Sequence, residues 1–489
     1  MTGMKHNKTR VIALIVLLLS ATIPQAAPAQ KTDHSKEREQ IVHVLNRLGF
    51  GPRPGDVDRV QSIGLRNYIE QQLHPESIPD PEVEDRLSRL ASLRMNISES
   101  FRQYPDPQQL ARQLGLRNPE ARDKVRAVMQ ERGLRPPQQL LQELIAQKIT
   151  RAIHSERQLQ EVMTDFWFNH FNVYWGKGPV RNFTTAYEMN AIRPHVMGKF
   201  KDLLLATAKS PAMLFYLDNH LSSAPNALVD AAVRAVSNRR MGINENYARE
   251  LMELHTMGVD GGYTQKDVQE VARAFTGWSI NQPRQNGEFV FRPMMHDRGE
   301  KVVLGHTIKA GGGIEDGEQV IDILARHPST ARFIATKLVR RFVSDDPPQS
   351  LVDRVAKTYT QTGGDIREML RTIFFSDEFM SPETYGQKTK SPFEYVVSAI
   401  RALDGETSGF QQLGRLIAQM GQPLYQYQAP TGFPDRGDYW MSDGAVLERI
   451  NFATMLASNR APNTQVNISA FKDAKAAALY IGSPDFQRR

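Results

Sequence analysis

Apolar side chains recur every three or four residues from about residue 36 to the end of the chain, the spacing of helices with one buried face. Ile41, Val44, Leu45 and Leu48 make the face of a first helix, stopped by Gly49-Phe50-Gly51-Pro52. Pro54-Gly55-Asp56-Val57 starts a second, and a third follows Gly64 through Tyr68, Ile69 and Leu73 to Pro75. Residues 76–137 are rich in Pro, Gln and Arg with weaker apolar faces. They predict a peripheral helical excursion jointed at Tyr104-Pro105-Asp106-Pro107 and Arg135-Pro136-Pro137. Residues 138–173 form a long helical stretch with a restart at Ser155-Glu156-Arg157-Gln158, which matches a capping box. Helices are expected next from Phe183 with a bend at Pro194, from Pro211 to Leu221, over 244–258 and from Thr264. More follow over 317–327, 329–344, 349–361, 364–376, 391–404, 408–420, 444–458 and 469–480. The last ten residues are expected to fray.

Strand-like alternation is confined to one zone. Phe289-Val290-Phe291-Arg292 and residues 301–308 bracket the loop Met294-Met295-His296-Asp297-Arg298-Gly299-Glu300, which predicts a hairpin. The expected fold is therefore mainly α, a multi-helical globular bundle with one small β-hairpin around 286–310. It divides into an N-terminal region over 30–137, a central core over 138–310 and a C-terminal region over 311–489. About 460 mature residues suffice for two or three packed subdomains.

The first 29 residues have the pattern of a secretory leader. Lys5, Lys8 and Arg10 precede an apolar run over 11–23, and Ala27-Pro28-Ala29 fits a small-x-small cleavage site. The run is too short for a spanning helix, which needs about 20 residues. The expected mature protein is exported, periplasmic or secreted, with no transmembrane segment. The formal charge of +7 falls to +4 once those three cations leave with the leader, which argues against a nucleic-acid partner. With no cysteine, disulfides, thiol nucleophiles, iron–sulfur clusters and covalently attached haem are excluded. No HExxH, GxSxG, Walker or GxGxxG motif occurs, so no nucleotide site is expected.

Two helices carry polar stripes where core is expected. On Asp165-Phe166-Trp167-Phe168-Asn169-His170-Phe171-Asn172-Val173, Asp165, Asn169 and Asn172 share a stripe, with His170 turned away from it. On the helix over 244–258, Asn246, Glu250, Glu253 and Met257 share another, and His255 lies roughly 140° from Glu250 by regular helical geometry. Two carboxylates at i, i+3 can share a proton or a divalent ion, above all if the Asp165 stripe faces them. Glu250, Glu253, Asp165, Asn169, Asn172 and His170 are thus the catalytic candidates. Asn246, His255 and the loop pair His296 and Asp297 are the substrate-binding candidates. The same patterns also fit a buried hydrogen-bond network, or carboxylates paired to Arg249, Arg273 or Arg193. A divalent metal remains open, but its identity is not legible.

Taken in order, several passages resemble the bacterial domain-of-unknown-function-1800 family. They are His43-Val44-Leu45-Asn46-Arg47-Leu48-Gly49-Phe50-Gly51-Pro52, the helix from Asp165 to Val173, the stretch from Asn246 to Gly258, Ala274-Phe275-Thr276-Gly277-Trp278, His296-Asp297, Gly421-Gln422-Pro423-Leu424-Tyr425 and Thr431-Gly432-Phe433-Pro434-Asp435. The resemblance implies an exported, mostly helical bacterial protein and supplies no catalytic residues. It also implies a neighbour, since family genes often sit beside those of a co-exported, sulfatase-like family, the domain of unknown function 1501. Two functional expectations follow. One is a hydrolase-like enzyme with a buried site lined by Glu, Asp, Asn and His, with or without metal assistance. The other is a non-catalytic envelope binding or assembly partner of that co-exported protein.

Overall fold

The computed structural model describes residues 29–116, 121–225 and 242–489. All but the last residue of the expected leader, and most of the small-residue linker over 222–238, lie outside them. Helices dominate, as the periodicity predicts. Ala29–Leu48, Asp56–Ile63 and Leu65–Leu73 open the fold, and the excursion is a series of short helices, Pro81–Ser88, Ile97–Gln103, Pro107–Gln113 and Ala121–Glu131. The excursion helices Pro107–Gln113 and Ala121–Glu131 close a small apolar cluster of their own around Leu110, Val125 and Met129. The main core draws on residues from Ile41 to Phe486. Among the described residues no helix is long and apolar enough to cross a membrane.

Gln138–His154 and Gln158–His170 are separate helices, so the restart occurs where expected. Its cap differs. Ser155 donates its hydroxyl to Asp80 Oδ2 at 2.6 Å and accepts only the Arg157 amide at 3.0 Å, and Arg157, at the N-cap, makes no side-chain cap bond. Thr264 and Asp267 do form a capping box at the Gln265–Ala274 helix.

The strand zone pairs differently from expectation. Glu288–Phe291 turns back onto Trp278–Asn281, while Lys301–Val303 pairs with His306–Ile308 across the Leu304-Gly305 turn. The two predicted strands thus belong to two hairpins. Trp278 and Ile280 are fully buried at the end of a helical passage, where an apolar run hides a strand from periodicity alone.

The last residues do not fray. Lys390 donates its amide to Gln487 O at 2.9 Å, and Arg489 donates its amide to Lys388 O at 2.8 Å. This antiparallel contact carries the Arg489 side chain into the protein, where the residue is only 5% exposed.

Candidate functional site

The polar stripe of the Gln158–His170 helix faces the segment 427–435. Asn169 donates to Phe433 O at 2.9 Å and accepts from Phe433 N–H at 2.8 Å. Asn172 donates to Tyr427 O at 3.0 Å and Ala429 O at 2.8 Å. Gly432, at φ +67°, brings the main chain so close that a Cβ would lie 2.2 Å from Asn169 O. The two amides therefore clip a loop that has no regular ladder of its own. Asp165, a turn earlier, meets Lys148 Nζ at 2.6 Å.

Asp165, Asn169 and Asn172 line a cavity of about 100 Å³. Phe166, Phe168, Tyr425, Tyr427, Phe433 and Trp440 give it aromatic walls, and its polar lining includes Lys148, Arg341, Lys388, Arg489 and Glu394. Burial alone would raise the Glu394 carboxyl, but Arg341 at 2.6 Å and Arg489 at 3.3 Å bring it down to about 2. Burial and the charge of Arg489 push Lys388 down to about 8, although it is ion-paired to Asp345. Burial, with Arg341 second, likewise lowers Arg489 to about 10, so it stays charged at neutral pH.

The Glu250/Glu253 stripe is built differently from the regular helix expected over 244–258. The α-helix Glu245–Glu250 passes into a π-helix, Leu251–Thr256, with Met257 N–H bonded to Met252 O at 2.8 Å. The wider turn voids angular positions counted at a constant step, including the one assigned to His255. Glu250 and Glu253 are half-buried and mutually close: burial first, then the Glu253 charge, raises the Glu250 pKa. Among the described residues neither forms an ion pair. Arg249 pairs with Glu245, Arg273 with Glu270 and Asp297, and Arg193 with Glu161 and Glu188. Tyr263 reaches Glu253 only at 3.5 Å. Neither carboxylate lines the cavity. Burial, then the Glu250 charge, holds the Tyr216 phenol well above its usual range, and its hydroxyl donates to Gln428 O at 2.6 Å. Asn246 is exposed, and its main-chain N–H donates to Oδ1 of Asn244, the helix N-cap, at 2.8 Å.

His170 and His255 are both buried away from the cavity. His170 Nε2 donates to His255 O at 3.0 Å, while His170 Nδ1 and His255 Nε2 have no polar partner. Their rings pack against Phe171. Burial pushes His255 down to about 3 and His170 well below its ordinary value, so both are neutral aromatic packing groups.

The loop pair is also tied down. His296 is buried between Thr276 O, 2.8 Å from Nδ1, and Asp316 Oδ2, 3.1 Å from Nε2, and Lys301 Nζ reaches the same Asp316 oxygen at 2.7 Å. Asp297 is gripped by Arg273 at 2.8 and 3.1 Å. Burial opposes its ionisation, but that guanidinium and the Gly299 amide hold it below the usual carboxylate range. This network fixes the loop on the Gln265–Ala274 and Ile314–Arg326 helices.

Among the described residues, Glu82, His154 and Glu406 bring three potential metal-ligating atoms within 4.8 Å of one another. The donors are already engaged. Arg86 grips Glu406 at 2.8 and 2.9 Å and Glu82 at 3.0 Å, occupying the carboxylate oxygens and offsetting one of their two charges.

The motifs that carried the resemblance are the ones that build these contacts: Arg47 on Thr384 O, Gly51 O on Arg401, Asn169 on Phe433, Tyr425 on Glu188. The family model described as "Protein of unknown function (DUF1800)" matches residues 43–488. The chain belongs to the DUF1800 family. No curated protein and no solved structure matches it. The DUF1800 match spans the Asp165 helix and the cavity residues Arg341, Lys388 and Glu394, and ends one residue before Arg489. Sequence reasoning found Asp165, Asn169 and Asn172 but missed Lys148, Arg341, Lys388, Glu394 and Arg489. Helical spacing gave no warning of them, because each comes from a different element. The basic cluster at 388–390, visible in the sequence as a break, was the one available signal.

Proposed function

We propose that this chain is an exported enzyme with hydrolase-like chemistry, working in the cavity between the Gln158–His170 helix and the C-terminal helices. The observation that carries the reading is the set of ionisable side chains around one cavity. Asp165 presents a carboxylate oriented by Lys148, and Lys388 is lowered by burial to about 8. A lysine in that range exchanges a proton near neutral pH, and a fixed carboxylate can take one from an attacking water. Asn169 and Asn172 are positioning residues in this scheme, holding the 427–435 wall. The Glu250/Glu253 pair lies outside it and is not assigned a step. The leader pattern over 1–29 supports export, which N-terminal sequencing of secreted material tests.

The test is a screen of the mature protein against chromogenic carboxylic, phosphate and sulfate esters and glycosides, run beside Asp165→Asn. Turnover lost in that variant supports the reading. Turnover that survives the change places the chemistry elsewhere.

One observation favours the non-catalytic alternative, a binding partner of a co-exported protein of the DUF1501 family. Leu447 and Ile450 on Asp443–Ala457, and Leu479 and Tyr480 on Ala474–Gly482, are exposed on neighbouring helices. Co-purification lost on Leu447→Glu and Leu479→Glu supports this alternative, and co-purification unaffected by them removes it.

A further inference from the structure

The cavity has a corner where positive charge is buried without a matching acid. Arg489 lines it, is more than nine-tenths buried, and leaves Nε and Nη1 without a partner, while its Nη2 reaches Glu394 at 3.3 Å and Arg341 O at 3.4 Å. Arg341 Nη2 is also unpartnered. Behind them Arg47 is fully buried, with only Nη2 satisfied, by Thr384 O at 2.6 Å. The groups facing this corner from the surrounding elements are the cations Arg47, Arg341, Lys388 and Arg489 and the carboxylates Glu394, Asp345 and Asp165, the last held by Lys148. With Lys148 counted, three acids do not neutralise five cations, and a buried charge without a partner is costly unless something supplies the countercharge. The first turn of the Pro392–Ala402 helix cannot be the attraction, because Ser391 and Glu394 already cap it. The free donors are separate guanidinium N–H groups of Arg489 and Arg341, which suit the several oxygens of one oxyanion.

We propose that the Arg341/Lys388/Arg489 corner binds an oxyanion carried by the ligand: a phosphate, sulfate or carboxylate group. A cavity of about 100 Å³ has room for such a group. The anionic end of the ligand therefore enters, and the remainder lies against Tyr427, Phe433 and Trp440 at the aromatic wall. This inference rests on the reading of the cavity as the ligand site and names the class of ligand it takes.

The experiment titrates the mature full-length protein with sodium phosphate, sodium sulfate and sodium acetate, against sodium chloride at matched ionic strength, by calorimetry and by thermal melt. At least one oxyanion is expected to bind saturably and raise the melting temperature beyond the chloride control; the one that does so identifies the group. Arg489→Gln, which leaves Arg341 on Glu394, is expected to weaken that binding at least about tenfold. If Arg489→Gln does not fold, Lys388→Gln takes its place with the same expected loss. No oxyanion response beyond chloride, or unchanged affinity in the variant, overturns the inference. The two proposals fail separately. Oxyanion binding without turnover of any ester leaves this corner standing and removes the hydrolase reading. Turnover of uncharged substrates that phosphate, sulfate and acetate do not inhibit does the reverse.

Discussion

Asn169 and Phe433 exchange two hydrogen bonds, 2.9 and 2.8 Å, between a helix side chain and a loop main chain more than 260 residues away. Asn172, Tyr216 on Gln428 O at 2.6 Å and Lys337 on Asp435 at 2.6 Å hold the rest of the loop between Tyr427 and Asp435. It forms one wall of the cavity, so its position decides whether the cavity has a fixed shape. Asn169→Ala leaves a main-chain donor and acceptor without partners, at a cost of about 1–3 kcal/mol. Chemical denaturation should show that loss, and hydrogen exchange should rise at residues 427–435 before it rises in the helix. Equal protection in variant and wild type would show that the clip is not what orders the loop.

Glu394 should govern acid stability. Its folded pKa of about 2 lies below the ordinary glutamate value of 4.5, so its contribution is present above the unfolded pKa. That contribution is lost as the pH falls through the interval from 4.5 towards 2. Glu394→Gln strands Arg341 and Arg489 and should cost about 3–5 kcal/mol near neutrality. Urea melts at pH 7 and pH 3 should show a smaller gap between variant and wild type at the lower pH. A constant gap would assign the effect to packing.

Glu253→Gln should behave in the opposite way. Burial and Glu253 raise the Glu250 pKa, so the folded state holds that proton more tightly than the unfolded chain does. The associated stability is present at low pH and lost as the pH rises through the folded value. Neutralising Glu253 removes a like charge and strands no cation, so the melting temperature at pH 7 should hold or rise. The difference from wild type should vanish below about pH 4, where free carboxyls are protonated. A clear drop at pH 7 would reveal a structural partner for Glu253.

His255 should remain uncharged across the physiological range. Burial holds it at about 3 in the fold, well below the ordinary histidine value of 6.5. Stability from this group is thus present above pH 6.5 and declines as the unfolded chain takes up the proton that the folded state refuses. The ring resonances of His255 should not shift between pH 8 and pH 5. A midpoint inside that window would place the ring in contact with solvent or a carboxylate.

The sequence was informative wherever a local pattern fixes structure. Helix faces such as Ile41, Val44, Leu45 and Leu48 are buried as their spacing requires, and the Thr264 box caps as expected. Three kinds of feature were not legible. The π-turn over Leu251–Thr256 depends on an i→i+5 register that residue types do not announce, and it displaced the angular reading of His255. The partner of Phe289 was misassigned because the buried Trp278–Asn281 strand continues an apolar run from a helix. Arg489 belonged to a segment with no periodic face, yet pairing with 388–390 places it in the cavity. Half of the site was therefore readable, namely the stripe Asp165, Asn169 and Asn172. Its cationic side was not, because it is assembled from elements far apart in sequence.

The most direct test compares two isosteric changes, Asp165→Asn and Glu250→Gln, on whichever substrate the screen reveals. The account predicts that Asp165→Asn lowers kcat/KM by about 10²–10⁴-fold while Glu250→Gln leaves it within a factor of about three. Loss of turnover in Glu250→Gln with Asp165→Asn fully active would contradict it and move the site to the π-helical stripe.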